Sequence, residues 1–306
     1  MNLLERVLRK MPVEHLAFLR DATGKALFEK LERSEQVRVH WSDENKSGRG
    51  GRTSPWAPSL EEASIYKSYI KLLDHTPVRA LVLGGTPMLR ELLFSFSIPS
   101  TIVDQSLTML ERTSRILGDT IVSKEMLIKS NWLDLHFLDG FFDVVIGDLV
   151  LFQFLPKDQD AFFAHVKKLL TPRGAFITRV HCVSPDIYNR EVTDAIQDIV
   201  SSDAHGKSSA DKLMAFLFDR CGNLKEGKTN RAAAIQALKN YMPKSEEESR
   251  IIQEAVRDWG GSFLDYALQQ EDEVIKKFES HFSEVLKRSS GDYEGAGQYP
   301  IICARD

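Results

Sequence analysis

Between residues 78 and 180, short apolar runs alternate with segments of helical periodicity. No other feature of the sequence constrains the fold as tightly. The apolar runs lie at 79–83, 100–104, 126–129, 142–148 and 175–180, and the helical segments at 87–96, 106–117 and 158–170. Strands alternating with helices predict βαβ units, right-handed crossovers and a mainly parallel sheet. The continuous run FFDVVIG predicts a central strand buried on both faces.

The flanks of this region read differently. Residues 2–38 carry Leu3, Leu4, Val7 and Leu8, then Leu16, Leu19, Leu27 and Leu31, at roughly helical spacing. Residues 42–58 are rich in Ser, Gly, Pro and charge and predict a loop, although Trp56 within it needs a surface to pack on. A helix resumes near Ser59, with Glu61 and Glu62 in its first turn, where the helix dipole favours acids. Residues 186–268 read as helices only. A last helix, EDEVIKKFESHF, precedes two strands, FSEVLKRS and QYPIICAR, and the short connection GDYEGAG predicts an antiparallel pairing between them. The organisation expected is N-terminal helices and a loop over 1–58, an α/β core over 59–185 and 269–306, and a helical insertion over 186–268.

Composition narrows the class. Of 306 residues, 42% are hydrophobic and 27% charged, enough apolar material for a sizeable core. A net charge of -4, with no basic block, gives no reason to expect nucleic acid or an anionic membrane as partner. No apolar stretch is long enough to span a bilayer, and Glu5, Arg6 and Arg9 interrupt what a secretory signal would need. Three scattered cysteines, Cys182, Cys221 and Cys303, fit reduced thiols better than disulfides or a zinc site, so a cytoplasmic location is expected and no metal centre.

Two features at strand ends suggest a ligand. The first strand ends in Leu83-Gly84-Gly85-Thr86-Pro87 and leads into a helix. Glycines let a backbone approach a ligand closely, and a helix start offers free N–H groups. Thr86 suits the N-cap and Pro87 the first helical position. A tight turn without a ligand would look the same. The second strand ends at Asp104, about 20 residues on, where a carboxylate can accept from both hydroxyls of a ribose or merely cap the next helix.

Taken in order, RALVLGGTPMLREL, STIVDQS, SNWLDLHFLDGFFDVVIGD and LLTPRGAFITRV resemble the motifs of class I S-adenosylmethionine-dependent methyltransferases. The resemblance spans about 60–185 and 270–306. It implies a Rossmann-like, seven-stranded, mainly parallel sheet with an antiparallel last strand, and it implies S-adenosyl-L-methionine as cofactor. The first motif departs from the usual pattern: Val82, Thr86 and Met88 stand where an acid and further glycines are typical, and only Gly84 matches cleanly. In this it is similar to a bacterial subgroup with a Gly-x-Thr-Pro-like first motif. By the resemblance Gly84, Gly85, Thr86, Asp104, Asn131, Trp132 and Asp148 bind the cofactor. Asn131 would meet the adenine amino group, and Trp132 would either stack on the purine or pack in the core.

Three residues are candidates for the chemistry. Asp148 ends the fourth strand and could serve as general base or orient the acceptor. Arg179 and His181 share a face at the end of the fifth strand. Arg179 could clamp an anionic group of the acceptor, and His181 could take a proton or be purely structural. Methyl transfer to O or N of a small-molecule acceptor is the expected reaction, with the helical insertion as cover. The oligomeric state is left open. Two alternatives stand beside it. One is a non-catalytic S-adenosylmethionine-binding protein. The other is a nucleotide enzyme built on Gly222–Thr229, whose GNLKEGKT matches GxxxxGK[ST] but follows a segment that reads as helix. In the bland reading of that segment, Thr229 is simply the N-cap of the next helix.

Overall fold

A computed structural model describes residues 30–33, 35–37, 54–73, 76–77, 79–201, 207–259 and 264–306. The helices expected over 2–38 and the loop over 42–53 lie outside these residues, apart from the short stretches just given.

The core is one seven-stranded sheet in the order β3-β2-β1-β4-β5-β7-β6. Its strands are β1 (Ala80–Leu83), β2 (Ser100–Asp104), β3 (Glu125–Lys129), β4 (Phe142–Asp148), β5 (Leu170–Arg179), β6 (Glu284–Arg288) and β7 (Ile301–Arg305). The first five pair in parallel, whereas β7 runs antiparallel to both β5 and β6. The sheet is therefore Rossmann-like with the expected antiparallel last strand. One strand begins earlier than its apolar run predicts. β5 follows its helix directly at Leu170, which pairs with Phe142, and the register then shifts so that Ala175 pairs with Val144. The polar stretch Thr171–Gly174 that looks like a turn is absorbed into that irregularity.

Both faces of the sheet are covered, so successive strand residues enter opposite cores. Leu81, Val145 and Phe176 pack with Phe162, Phe163 and Phe278 on one face. Val82, Ile146 and Ile177 pack with Tyr66, Tyr69 and Leu93 on the other. The helices on these faces are α1 (Leu60–Lys71), α2 (Pro87–Ser95), α3 (Leu107–Leu117), the single turn α4 (Asp119–Val122), α5 (Gln159–Leu169) and, later in the chain, α10 (Glu271–His281). Helix α1 starts in a capping box: Ser59 N–H donates to Glu62 at 2.7 Å, and Glu62 N–H donates to the Ser59 hydroxyl at 3.1 Å.

Between β5 and α10 lie α6 (Val192–Ser201), α7 (Lys207–Arg220), α8 (Arg231–Asn240) and α9 (Glu246–Trp259). They share an apolar core of their own, including Leu213, Leu217, Phe218, Ile251 and Ala255. That core extends to Leu149 and Phe152 after β4 and to Tyr299 before β7. Trp56 finds its surface there. Its indole N–H donates to the Asp211 carbonyl at 3.0 Å, and its ring lies 4.7 Å from that of Trp259.

The phosphate-loop pattern is placed where it has no strand before it. Helix α7 ends at Arg220, and the loop folds on itself through a bridge between Asn223 and Lys228. Lys228 pairs with Glu226 at 2.7 Å, and Gly227 packs on Pro156. Phosphate cradles sit at a strand-to-helix turn, and that context is missing here. The cap of α8 also differs from the expectation: Asn230, not Thr229, accepts from Ala233 N–H at 3.0 Å. The Thr229 hydroxyl instead accepts from Tyr266 N–H at 2.8 Å. No helix among the described residues is long and apolar enough to cross a membrane.

Candidate functional site

A cavity of about 720 Å³ opens at the carboxyl ends of β1, β2 and β4, where open α/β sheets bind their ligands. Its volume lies within the range of small-molecule sites. Gly84, Gly85, Thr86, Asp104, Asn131, Trp132 and Asp148 all line it. The residues singled out for cofactor binding thus all border one cavity.

The turn after β1 depends on its glycines. Gly84 has φ +92°, a left-handed conformation that suits glycine, and its N–H donates to the Val103 carbonyl at 2.8 Å. A Cβ on Gly85 would sit 2.8 Å from the Thr113 hydroxyl. That hydroxyl is fixed, since it accepts from Arg90 Nη1 at 2.9 Å and donates to the Met109 carbonyl at 2.8 Å. Thr86 occupies the N-cap position of α2, but its side chain caps nothing, so its hydroxyl is not used to start that helix.

Asp104 ends β2 and accepts from Ser106 N–H at 2.8 Å, with the backbone N–H groups of Gly85 and Gln105 also on it. Burial outweighs these bonds and pushes its carboxyl up to about 6. Asn131 caps the short 3-10 turn Trp132–Asp134, its side-chain oxygen accepting from Leu133 N–H at 3.1 Å. The Trp132 indole N–H donates to the Val103 carbonyl at 2.9 Å.

Asp148 lines the cavity, with its side chain nearly enclosed. Arg179 grips it from behind, with Nε donating to Oδ1 at 2.7 Å and Nη2 to Oδ2 at 3.1 Å. Burial raises the Asp148 pKa, Arg179 opposes that rise, and Glu62 adds to it. Arg179 is itself wholly enclosed and does not line the cavity. The substrate-clamp reading of Arg179 is therefore corrected: its guanidinium is spent on Asp148 and on Glu62.

His181 is also set apart from the cavity. It is buried between the rings of Tyr299, stacked at 4.9 Å, and Phe152, edge-on at 5.2 Å. Its Nε2 lies 3.0 Å from Asp219 on α7. The catalytic reading fails on access, and the contact joins the core to the helical insertion.

Several wall residues carry no motif. Trp56, Phe152, Trp259 and Tyr266 line the end of the cavity nearest the insertion, and Phe152 stacks on Tyr266 at 4.2 Å. Arg33 reaches the same wall, where its guanidinium donates to the Gln153 carbonyl at 3.1 and 3.2 Å. Burial lowers its pKa to about 10. Apart from the misfit of Trp56 in a loop, nothing in their local sequence separates these residues from ordinary core aromatics.

Residues 84–178, from the glycine turn to the end of β5, match a family model described as a methyltransferase domain. The protein thus carries a methyltransferase domain and is an enzyme. No curated protein matches the sequence. Among solved structures, it is similar to 1,6-didemethyltoxoflavin-N1-methyltransferase from Burkholderia thailandensis, crystallised with 1,6-didemethyltoxoflavin and S-adenosylhomocysteine. Identity is 13% and the TM-score 0.51, with 89% of this chain and 88% of that one covered. It is also similar to a protein from Rhodobacter sphaeroides described as a putative zinc-dependent alcohol dehydrogenase, at 13% identity and a TM-score of 0.50, covering 81% and 91%. At such identities both likenesses speak to the fold alone.

Proposed function

We propose that this S-adenosylmethionine-dependent methyltransferase delivers its methyl group to an oxygen or nitrogen of a small acceptor held between Asp148 and the aromatic wall. One observation carries the reading. The glycine turn, Asp104 and Trp132 share a single cavity with Asp148, and that cavity continues to Trp56, Phe152, Trp259 and Tyr266. The residues present suit the cofactor. A carboxylate at the end of β2 accepts ribose hydroxyls, an indole stacks on a purine, and two glycines that line the cavity let a ligand lie against the backbone of the turn. The Gly-Gly-Thr-Pro form of that turn makes the bacterial subgroup with a similar first motif part of the proposal.

The cofactor supplies an electrophilic methyl group, so the chain's task is to position a nucleophile and keep water out. Asp148 orients the acceptor's O–H or N–H and is placed to take its proton. Burial favours that role, because a carboxylate of raised pKa is a better base at neutral pH. The helical segment 186–268 and the Trp56 loop act as the cover. A cytoplasmic enzyme acting on a metabolite, not on nucleic acid, accords with the near-neutral charge.

Calorimetry with S-adenosylhomocysteine tests the cofactor site. A methyl-transfer screen over phenols, catechols, N-heterocycles and aliphatic amines then tests the acceptor. Micromolar binding, with transfer to at least one ring-bearing acceptor, is the expected outcome, and no binding would overturn it. Binding without transfer to any acceptor would instead favour a non-catalytic cofactor-binding protein. The buried Val82, where an acid is usual, is the observation behind that second reading.

A further inference from the structure

Behind Asp148 the structure holds a chain of buried polar groups drawn from three distant parts of the sequence. Arg179 on β5 uses Nη1 to reach Glu62 Oε2 on α1 at 2.8 Å. The hydroxyl of Tyr293, in the connection between β6 and β7, donates to Glu62 Oε1 at 2.8 Å. Ser59 N–H gives Oε2 a second bond at 2.7 Å. The side chains of Arg179 and Glu62 are both fully inaccessible. Neither Glu62 nor Tyr293 lines the cavity.

Such an arrangement is costly to bury, because two carboxylates share one guanidinium and the group carries a net negative charge. A helix-capping acid does not need that environment, since Ser59 could be capped from solvent. The site accounts for it. With Asp148 as its only partner, Arg179 would hold that carboxylate as a tightly neutralised ion and a poor base. Glu62 takes up part of the Arg179 charge and leaves Asp148 free to act.

We infer that Glu62 and Tyr293 are positioning residues which, through Arg179, fix both the orientation and the proton affinity of the Asp148 carboxylate. The inference rests on the reading of Asp148 as the acceptor-facing group. The other titratable groups around Asp148 and Arg179 are two tyrosines. Tyr66 accepts from Arg179 N–H at 2.7 Å and donates to the Gly147 carbonyl at 2.8 Å, and the Tyr299 ring lies 5.5 Å from the guanidinium carbon. Burial drives both phenols well above their ordinary values, so neither competes at neutral pH.

The test needs no acceptor. The full chain is labelled with carboxyl-carbon-13 aspartate, and Asp148 is followed by NMR through a pH titration, its signal assigned by Asp148→Asn. Glu62→Gln keeps the shape and removes the charge; its one amide oxygen can still accept from Ser59 N–H and Arg179, while its amide NH2 turns to the Tyr293 hydroxyl, which then accepts. The Asp148 midpoint is then expected to fall by about one pH unit or more, and Glu62→Asp to recover part of the fall. Tyr293→Phe leaves both charges in place and should produce a smaller shift. A folded Glu62→Gln protein with an unmoved midpoint would overturn the inference. If that variant does not fold, an unmoved midpoint in Tyr293→Phe overturns it instead. Calorimetry with S-adenosylhomocysteine on the same samples reports separately on the cofactor site, so a failure there is not confused with a failure of the coupling.

Discussion

The Val103 carbonyl accepts from the indole N–H of Trp132 at 2.9 Å and from Gly84 N–H at 2.8 Å. One oxygen at the end of β2 thus ties the glycine turn after β1 to the loop after β3. The Trp132 ring comes within 3.6 Å of where a Gly84 side chain would begin. Two strand ends that bound the cavity are held in register by a side chain that also lines it.

Removing the ring should therefore weaken cofactor binding more than removing the bond. Trp132→Phe retains a stacking face and loses the N–H donor, at a cost of about 1 kcal/mol in stability. Trp132→Ala loses the face as well, and binding of S-adenosylhomocysteine should weaken about tenfold or more, the equivalent of ~1.4 kcal/mol. Calorimetry on both variants distinguishes a stacking role from a packing role. Wild-type affinity in the alanine variant would mean that Trp132 serves only the core.

How far the site was legible depends on the range of the interaction. The strands are readable because apolar runs bounded by turn residues are a local signal, and the places of Asp104 and Asp148 at the cavity are readable because strand ends are. Arg179 is not. Its identity suggests a ligand clamp, and only the fold reveals that Glu62, 117 residues earlier, and Asp148 consume it. Glu62 itself reads as an ordinary first-turn acid, which it also is. The early start of β5 was hidden by Thr171–Gly174, which carry turn chemistry and yet continue a strand through an irregular pairing. Long-range polar pairing leaves no period in a sequence, whereas burial does.

Arg90 on α2 is likewise fully buried and paired over long range. Its Nε donates to Glu125 at 2.9 Å, and its two terminal nitrogens reach Thr113 and Ser114 at 2.9 and 3.0 Å. Glu125, with a side chain 2% exposed, would be left as a lone buried charge by Arg90→Ala. The cost should be about 3–5 kcal/mol in urea denaturation, with β2, β3 and the glycine turn loosened together. Arg90→Met combined with Glu125→Leu removes both charges and should recover most of that loss. A double variant no more stable than Arg90→Ala would show that packing, not the unpaired carboxylate, sets the cost.

Asp104 sets a pH dependence whose sign follows from its environment. Its folded pKa, about 6, lies above the ordinary carboxylate value because burial disfavours the charge. As pH rises, the unfolded chain releases this proton first. The group therefore favours the free folded protein most at low pH, and that contribution is lost between about pH 4 and pH 6. Cofactor binding runs the other way. Two ribose hydroxyls donate to both carboxyl oxygens at once only when the group is ionised, so full-strength binding draws the proton off. The affinity for S-adenosylhomocysteine should be flat above about pH 6 and fall by up to tenfold per unit below it. The amino and carboxyl groups of the ligand titrate outside that window. Asp104→Asn should bind more weakly at neutral pH and show no such limb, while calorimetry of the wild type at pH 5 in buffers of different ionisation enthalpy should reveal proton release. An affinity that stays constant from pH 7.5 to pH 5 in the wild type would remove Asp104 from the ribose site.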